Sequence, residues 1–343
     1  MSPKIAFLGT GAQGAGIGAD LVNAGLDVTF IEQWPAHVDA MRANGIEVRM
    51  PGHTVITPVT VLHLCEVATL REKFDIVFLL VKAYDTRWAC ELIKPVLADD
   101  GLVVGLQNGM SIDDISAVVG PERTIGAVIE MASNMFEPGI VNRQNSPETA
   151  WFAVGAVADE TRARVPEIQT LLSHAGTVEI SDDIRSSKWM KLIANAGELV
   201  PSAILDLPLA EAAGLPGVHD FMVECGREAA RAAIADGCTL VPIFGMSTDE
   251  VLPGDDYAAL LLGRVLSDYS FPDTLTTVLQ DWRKGRRAEV SEVNGLAADV
   301  LHAHGQSAPA NERTVALARL IESGELTAKP SNVELLLGKG PIA

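Results

Sequence analysis

At 343 residues with 48% hydrophobic side chains, the chain exceeds what one ordinary core accommodates and suits two globular domains. Its formal net charge of −19 argues against a nucleic-acid-tracking surface, which needs clustered Lys and Arg. No apolar run approaches the roughly 20 residues that span a bilayer, and the first strand begins near Lys4, so a cytoplasmic protein with neither membrane span nor secretory leader is expected.

The first third alternates strands and helices. Lys4 to Leu8 is a short apolar run that enters GTGAQG, the segment Gly9, Thr10, Gly11, Ala12, Gln13 and Gly14, followed by a helix through Leu21 and a second strand at Val28 to Ile31. In this strand, glycine turn, helix, strand context the first glycine permits the tight turn and the second lets backbone approach a pyrophosphate. The third lets helix and strand pack closely, with the helix N-terminus facing the phosphates. Glu32 ends the second strand 18 residues beyond Gly14, where a carboxylate accepts hydrogen bonds from the adenosine ribose and repels a 2′-phosphate. Gln33, Trp34, Pro35 and Ala36 supply no cation to offset that repulsion, so NAD(H) is expected over NADP(H).

Further buried strands are expected at 75–81, 102–106 and 124–129. VKAYDT places Lys82, and LQNGM places Asn108, at the carboxyl ends of two of them, where open α/β sheets bind ligands. After Gly139 the pattern is less regular, with strands expected at 151–157 and 177–180, and at 181–185 the character changes.

Beyond that point the chain reads as helical, with segments at 187–204, 218–236, 257–267, 274–284, 288–304 and 311–322 separated by Gly and Pro. The division expected is 1–182 for a dinucleotide-binding domain and 183–343 for an all-α domain, with the small substrate expected in the cleft between the helical domain and the carboxyl edge of the sheet. KWMKLIAN puts Lys191 and Asn195 four residues apart, on one helix face, and RAEVSEVNG supplies Glu289 in a mainly apolar neighbourhood. Such a trio is able to protonate, orient and anchor a carbonyl oxygen. Glu198 is expected at an exposed position of the same helix, the alternative being a polar contact to the substrate. The basic run Arg283 to Arg287 fits either a phosphate-bearing ligand or a solvated helix end. Cys65, Cys90, Cys225 and Cys238 lack metal or redox spacing and are expected as reduced, structural thiols. His302 and His304 point apart on a helix, so no metal site is expected.

GTGAQG, VKAYDT, LQNG, the DI-x4-WMKL-x2-N pattern from Asp183 to Asn195, LQD at Leu279 to Asp281, AEVSEVNG and HGQSAPAN at His304 to Asn311 occur in this order along the chain. Together they resemble the ketopantoate reductase (2-dehydropantoate 2-reductase) family. The resemblance implies a Rossmann-type doubly wound α/β sheet followed by a helical domain, reversible reduction of a 2-oxo acid by a nicotinamide cofactor, and a homodimer through the helical domain. Carried over by position, it makes Lys191 the catalytic lysine and Glu289 its partner glutamate. It puts Asn195 and Thr277 at substrate contacts, and Asn108 at substrate or nicotinamide ribose.

Two positions depart from the family pattern. Leu199 and Thr274 stand where asparagines are usual, so two polar substrate contacts are weakened. An unpaired substrate hydroxyl against leucine forfeits roughly 1 to 3 kcal/mol. The pocket is therefore expected to take a more apolar 2-oxo or D-2-hydroxy acid than ketopantoate. Ketopantoate reduction with NADPH, a β-hydroxy acid dehydrogenase and a non-enzymatic NAD-binding sensor are the competing readings.

Overall fold

The computed structural model describes residues 2–251 and 256–340. The chain divides into two compact units, Met1–Arg185 and Ser186–Ala343.

The first unit runs β1 (Ile5–Leu8), α1 (Ala12–Asn23), β2 (Val28–Glu32), α2 (Pro35–Asn44), β3 (Ile46–Met50), β4 (His53–Thr57), β5 (Thr60–His63), β6 (Phe74–Leu79), α3 (Thr86–Ile93), β7 (Leu97–Gly105), α4 (Ile112–Val119), β8 (Thr124–Glu130), β9 (Ser133–Glu137), β10 (Ile140–Arg143), β11 (Trp151–Ala156), α5 (Val165–Leu172) and β12 (Thr177–Ile180). Eight strands form one sheet in the order β12-β11-β8-β7-β6-β1-β2-β5. The neighbours from β8 to β5 are parallel, and β11 lies antiparallel to β8. From β1 the chain winds outward through β2 and β5, then returns to the other side of β1 with β6. This reversal of direction between β1 and β6 is the topological switch point, beyond whose carboxyl ends such sheets bind ligands. The continuous burial of β1 and β6 reflects their central place, with Phe7 stacked on Phe78 at 4.8 Å between centroids. The fold is the Rossmann type that the glycine turn and strand spacing imply.

A second sheet, β4-β3-β10-β9, was not anticipated. Its strands are short and half-exposed, and polar residues such as Glu47, Arg49, Asn134 and Asn142 dilute their alternation. Arg143, fully buried, ties this sheet to α1 through Asp20 and donates to Ala175 O at 2.7 Å.

The described part of the second unit contains only helices, as expected. These are α6 (Ile184–Ile204), α7 (Leu209–Ala213), α8 (Val218–Ala235), α9 (Tyr257–Arg264), α10 (Thr277–Arg283), α11 (Leu296–Ala303), α12 (Pro309–Glu322) and α13 (Val333–Leu336). Small residues let α6 and α8 cross closely. A Cβ on Gly197 would fall 2.8 Å from Met222 O, and one on Gly226 would fall 3.3 Å from Ile193 O. Buried Asn294 donates to Ala196 O of α6 at 2.9 Å and to Asn311 Oδ1 at 2.7 Å. Glu228, wholly buried on α8, accepts from the amides of Ala310 and Asn311 at the start of α12. A carboxylate is favoured there by the helix dipole.

The expected helix at 288–304 starts later. Residues 291–295 form a π-helical turn, closed by Gly295 N donating to Val290 O at 3.0 Å, and α11 follows. Glu289 thus precedes the helix rather than lying on it, and its side chain is buried. The helix expected from Thr274 starts at Thr277, because Thr274 Oγ1 accepts from Phe271 N at 2.8 Å and shapes a turn instead.

Candidate active site

The glycine turn is fixed by close backbone, its own and that of the loop after β6. Gly9 has φ +91°, and a Cβ there would fall 2.5 Å from Val81 N. A Cβ on Gly14 would fall 2.3 Å from Gly9 O. Neither position admits a side chain. Gly11 differs, because a Cβ there would meet no protein atom within 4 Å. The fold does not demand glycine at Gly11; the open space is a cradle of the kind a pyrophosphate fills. Gly11 also caps α1 with no side-chain hydrogen bond, leaving the first amides of the helix directed at that space. Ala12 packs on the core, and Gln13 Nε2 donates to Met131 O at 2.6 Å.

Thr10, fully buried, is held on both sides. Glu32 Oε2 accepts from Thr10 N at 2.7 Å and from Thr10 Oγ1 at 2.8 Å, while Oε1 accepts from Gln33 N and Trp34 N, each at 2.9 Å. A carboxylate offers about four lone-pair sites, and these four donors occupy them. Glu32 is therefore an anchor of the glycine turn, and a ribose hydroxyl would have to share an oxygen already in use. On the other side of Thr10, His37 Nε2 donates to Thr10 O at 2.8 Å, and Gly139 N donates to His37 Nδ1 at 2.8 Å. Because the amide of Gly139 occupies Nδ1, the ring carries its proton on Nε2 and is neutral. The sequence alone gave no signal for this histidine.

The loops after β6 and β7 carry Lys82 and Asn108, both half-buried. They are joined by Gln107, whose Nε2 donates to Val81 O at 2.7 Å and to Thr86 Oγ1 at 2.9 Å. Gln107, itself the residue before Asn108, is thus tied to the residue before Lys82.

In the second unit, α6 carries three of the candidate polar side chains. Lys191 and Asn195 project from one face as expected, and both are buried. Glu198 corrects the expectation of an exposed residue. It is 4% exposed, and its Oε1 accepts from Lys191 Nζ at 3.4 Å. At seven residues from Lys191 it lies two turns along the same face, a periodicity that was readable in the sequence. The ring of Phe244 covers Lys191 Nζ from another side, with its centroid 5.3 Å away. Leu199, also buried, continues the face, and its carbonyl accepts from Thr276 Oγ1 at 3.0 Å. That bond brings Thr277, the first residue of α10, to Leu199. The Oγ1 of Thr277 is shielded from solvent and has no hydrogen-bond partner among the described residues. A buried hydroxyl of this kind is usually satisfied, and a polar ligand group would satisfy it. Glu289 is buried ahead of the π turn that Asn294 fastens to α6.

Elsewhere the structure corrects one further expectation. Cys90, Cys225 and Cys238 are buried, but Cys65 is exposed, 3.5 Å from His63 Nδ1. Burial pushes the Cys90 thiol up to about 12, so this cysteine behaves as a small hydrophobe. In the basic run, Arg283 pairs with Asp206 at 2.9 Å and Arg287 with Glu292 at 3.0 Å. No group of three or more His, Cys, Asp or Glu among the described residues is arranged to hold a metal ion. No helix among them is long and apolar enough to cross a membrane.

A Rossmann sheet with this turn, joined in one chain to a helical unit that buries an amine, an amide and carboxylates, defines an oxidoreductase acting on a C=O/CH–OH pair. The comparisons agree. Residues 5–156 match the family "Ketopantoate reductase PanE/ApbA", and residues 183–322 match "Ketopantoate reductase PanE/ApbA C terminal". The chain belongs to the ketopantoate reductase family. The 2-dehydropantoate 2-reductase of Mesorhizobium japonicum is 26% identical over 338 residues, covering 92% of this chain and 97% of that protein. The enzyme of the same name from Pyrococcus horikoshii is 27% identical, covering 93% and 98%. A PanE/ApbA family ketopantoate reductase from Ralstonia eutropha superposes with TM-score 0.78 at 29% identity, covering 94% of this chain and 99% of that one. D-mandelate dehydrogenase, solved with NADH and anilino(oxo)acetate, shares the fold with TM-score 0.83 at 22% identity, covering 94% and 98%.

Proposed function

We propose that this protein is an NAD(H)-dependent reductase of apolar 2-oxo acids, reversible to the D-2-hydroxy acids, with Lys191 as general acid and base. One observation carries the reading: Lys191 is a buried amine set between the Glu198 carboxylate and the Phe244 ring, on one helix face with Asn195. A lysine placed for surface solvation has no reason to be there.

The nicotinamide supplies the hydride. Gly9 to Gly14 would hold its pyrophosphate, and Lys82 and Asn108 would contact it from the loops after β6 and β7. As a substrate carbonyl is reduced, charge develops on its oxygen. The Lys191 ammonium stabilises that charge and delivers the proton, while Asn195 donates to the same oxygen. Glu198 provides the counter-charge that holds the ammonium in place. Glu289 anchors the substrate or the ribose. In the oxidative direction the neutral amine accepts the hydroxyl proton, so oxidation rises with pH through the titration of this amine.

Leu199 beside the orphaned Thr277 hydroxyl gives the substrate pocket one apolar wall and one donor, which suits a branched or aromatic 2-oxo acid better than the hydroxylated ketopantoate. D-mandelate dehydrogenase, an enzyme of this fold, is known in a ternary structure with NADH and anilino(oxo)acetate, which supports both choices. The second reading is ketopantoate reduction with NADPH, and its substrate is favoured by the names of the relatives that match along almost the whole chain. A homodimer belongs to the proposal on the family resemblance alone.

The preference for NADH rests on the charge of Glu32, since its hydrogen-bonding sites are taken. The double variant Glu32→Ser, Gln33→Arg is expected to raise the NADPH to NADH ratio of kcat/KM by at least about tenfold, as a repulsion is exchanged for an attraction. An unchanged ratio would remove this basis for NAD selection. Substrate class is decided by steady-state turnover of 2-oxo acids with both cofactors. Phenyl- or branched-chain 2-oxo acids should turn over fastest with NADH, and ketopantoate with NADPH leading the panel would establish the second reading instead.

A further inference from the structure

Phe244 stands where a phenylalanine is out of place. Residues 243–246 make a tight turn closed by Met246 N donating to Ile243 O at 3.2 Å, and its two central residues, Phe244 and Gly245, have φ +60° and +69°. Positive φ at both central positions is the signature of a type I′ turn, whose first central position favours Asn, Asp or Gly because a Cβ is strained there. A bulky aromatic side chain at such a position is a marked outlier, and outliers of this kind cluster where function holds them. The ring is nevertheless 3% exposed, with its centroid 5.3 Å from Lys191 Nζ and 5.5 Å from the Tyr269 ring. The turn is fastened nearby by Tyr257, whose hydroxyl donates to Val241 O. The strained backbone thus holds the ring against the Lys191 amine and the Tyr269 ring.

We propose that Phe244 is a positioning residue for Lys191, its ring face holding the ammonium in the protonated, donor-ready state. The proposal rests on the reading of Lys191 as the proton donor. Nothing else in the turn supplies a field, because Cys238 to Ser247 carries no charged side chain. Among the described residues, the other charged side chains buried in this unit are Lys188 and Glu198 on α6, Glu228 on α8, Asp281 on α10 and Glu289 before the π turn, and the buried Cys225, Cys238 and Tyr257 add ionisable groups without charge at neutral pH. All of them remain in a Phe244 variant, so a change of titration on removing the ring reports the ring. A ring over a cation favours the charged form, and its removal makes the amine lose its proton at lower pH.

The test compares Phe244→Leu, Phe244→Asn and Phe244→Tyr. Leucine keeps apolar volume without a π face, asparagine is the residue the turn itself prefers, and tyrosine keeps the ring. Two readouts are taken in the intact protein: the NMR titration of 13C-labelled Lys191, assigned by its loss in Lys191→Arg, and the pH profile of kcat/KM for reduction. In the Leu and Asn variants the Lys191 titration and the basic limb of reduction should both move down by roughly half to one and a half pH units. The Tyr variant should retain the wild-type profile, and NADH affinity should be unchanged in all three. An unmoved Lys191 resonance in both ring-less variants overturns the proposal. A resonance that moves while the kinetic limb stays put overturns it differently: the ring then governs the amine, but the amine is not the proton donor, and the reading of the site fails with it. The Asn variant guards against misfolding, since a turn-compatible residue cannot lose activity through backbone strain.

Discussion

Replacing Lys191 by alanine is expected to lower kcat for 2-oxo acid reduction by about 10²- to 10⁴-fold, the range that a positioned general acid contributes, with the Kd for NADH nearly unchanged. The separation follows from where the residue is. Lys191 lies on α6 of the helical unit, whereas the glycine turn proposed to hold the pyrophosphate lies between β1 and α1 in the other unit. A loss confined to kcat and kcat/KM marks an interaction made in the transition state, and a loss confined to cofactor affinity marks ground-state binding. Equilibrium titration of NADH fluorescence together with steady-state kinetics reads both. Weaker cofactor binding with unimpaired kcat would assign Lys191 to nucleotide binding and remove it from the chemistry. The variant also takes the ammonium at 3.4 Å away from the Glu198 carboxylate, and Lys191→Met, which removes the same charge but keeps the apolar stem, serves as the companion that separates lost charge from lost packing.

The second large effect concerns two glycines of the same turn. Gly14→Ala drives a methyl group to 2.3 Å from Gly9 O, a backbone atom that yields only if the turn shifts away from β1. Cofactor affinity is expected to fall by about 10²-fold or more, in line with the cost of displacing a binding group by an ångström. Thermal stability should fall with it, because the overpacked contact persists without ligand. Gly11→Ala separates the two consequences. Its methyl meets no protein atom within 4 Å, and the backbone at φ −62° accepts alanine. The apo protein should be as stable as wild type or slightly more so, yet NADH binding should weaken sharply, because the methyl occupies the pyrophosphate space. A Gly11→Ala protein that bound NADH normally would show that the space is not the cradle. Calorimetric unfolding and NADH titration on the two variants settle the point.

Much of this arrangement was legible in the residues because it is governed by short-range rules. The glycine turn announces itself by spacing within a strand and helix context, and Lys191 and Asn195 share a face by helical period alone. Glu198 obeys the same period, and its burial would have followed from counting two turns on from Lys191. Other features depend on contacts distant in sequence. The clamp on Thr10 joins Glu32 and His37 to a turn more than twenty residues earlier, and His37 in turn meets Gly139, 102 residues on. The π turn before α11 displaces Glu289 from the helix that simple periodicity extends over it, and π turns leave no mark on a 3.6-residue repeat. Phe244 is hidden for the opposite reason. Phe-Gly is not a sequence signature of a type I′ turn, so the local rule fails where tertiary contacts pay for the exception.

Chemical rescue tests the central claim most directly. Lys191→Ala should regain NADH-dependent reduction of its best 2-oxo acid when ethylamine is added, with a rate that rises with the concentration of the protonated amine and is absent with an uncharged alcohol of equal size. Failure of every small amine to restore turnover, in a variant that is folded and binds NADH, would contradict the assignment of the proton to Lys191.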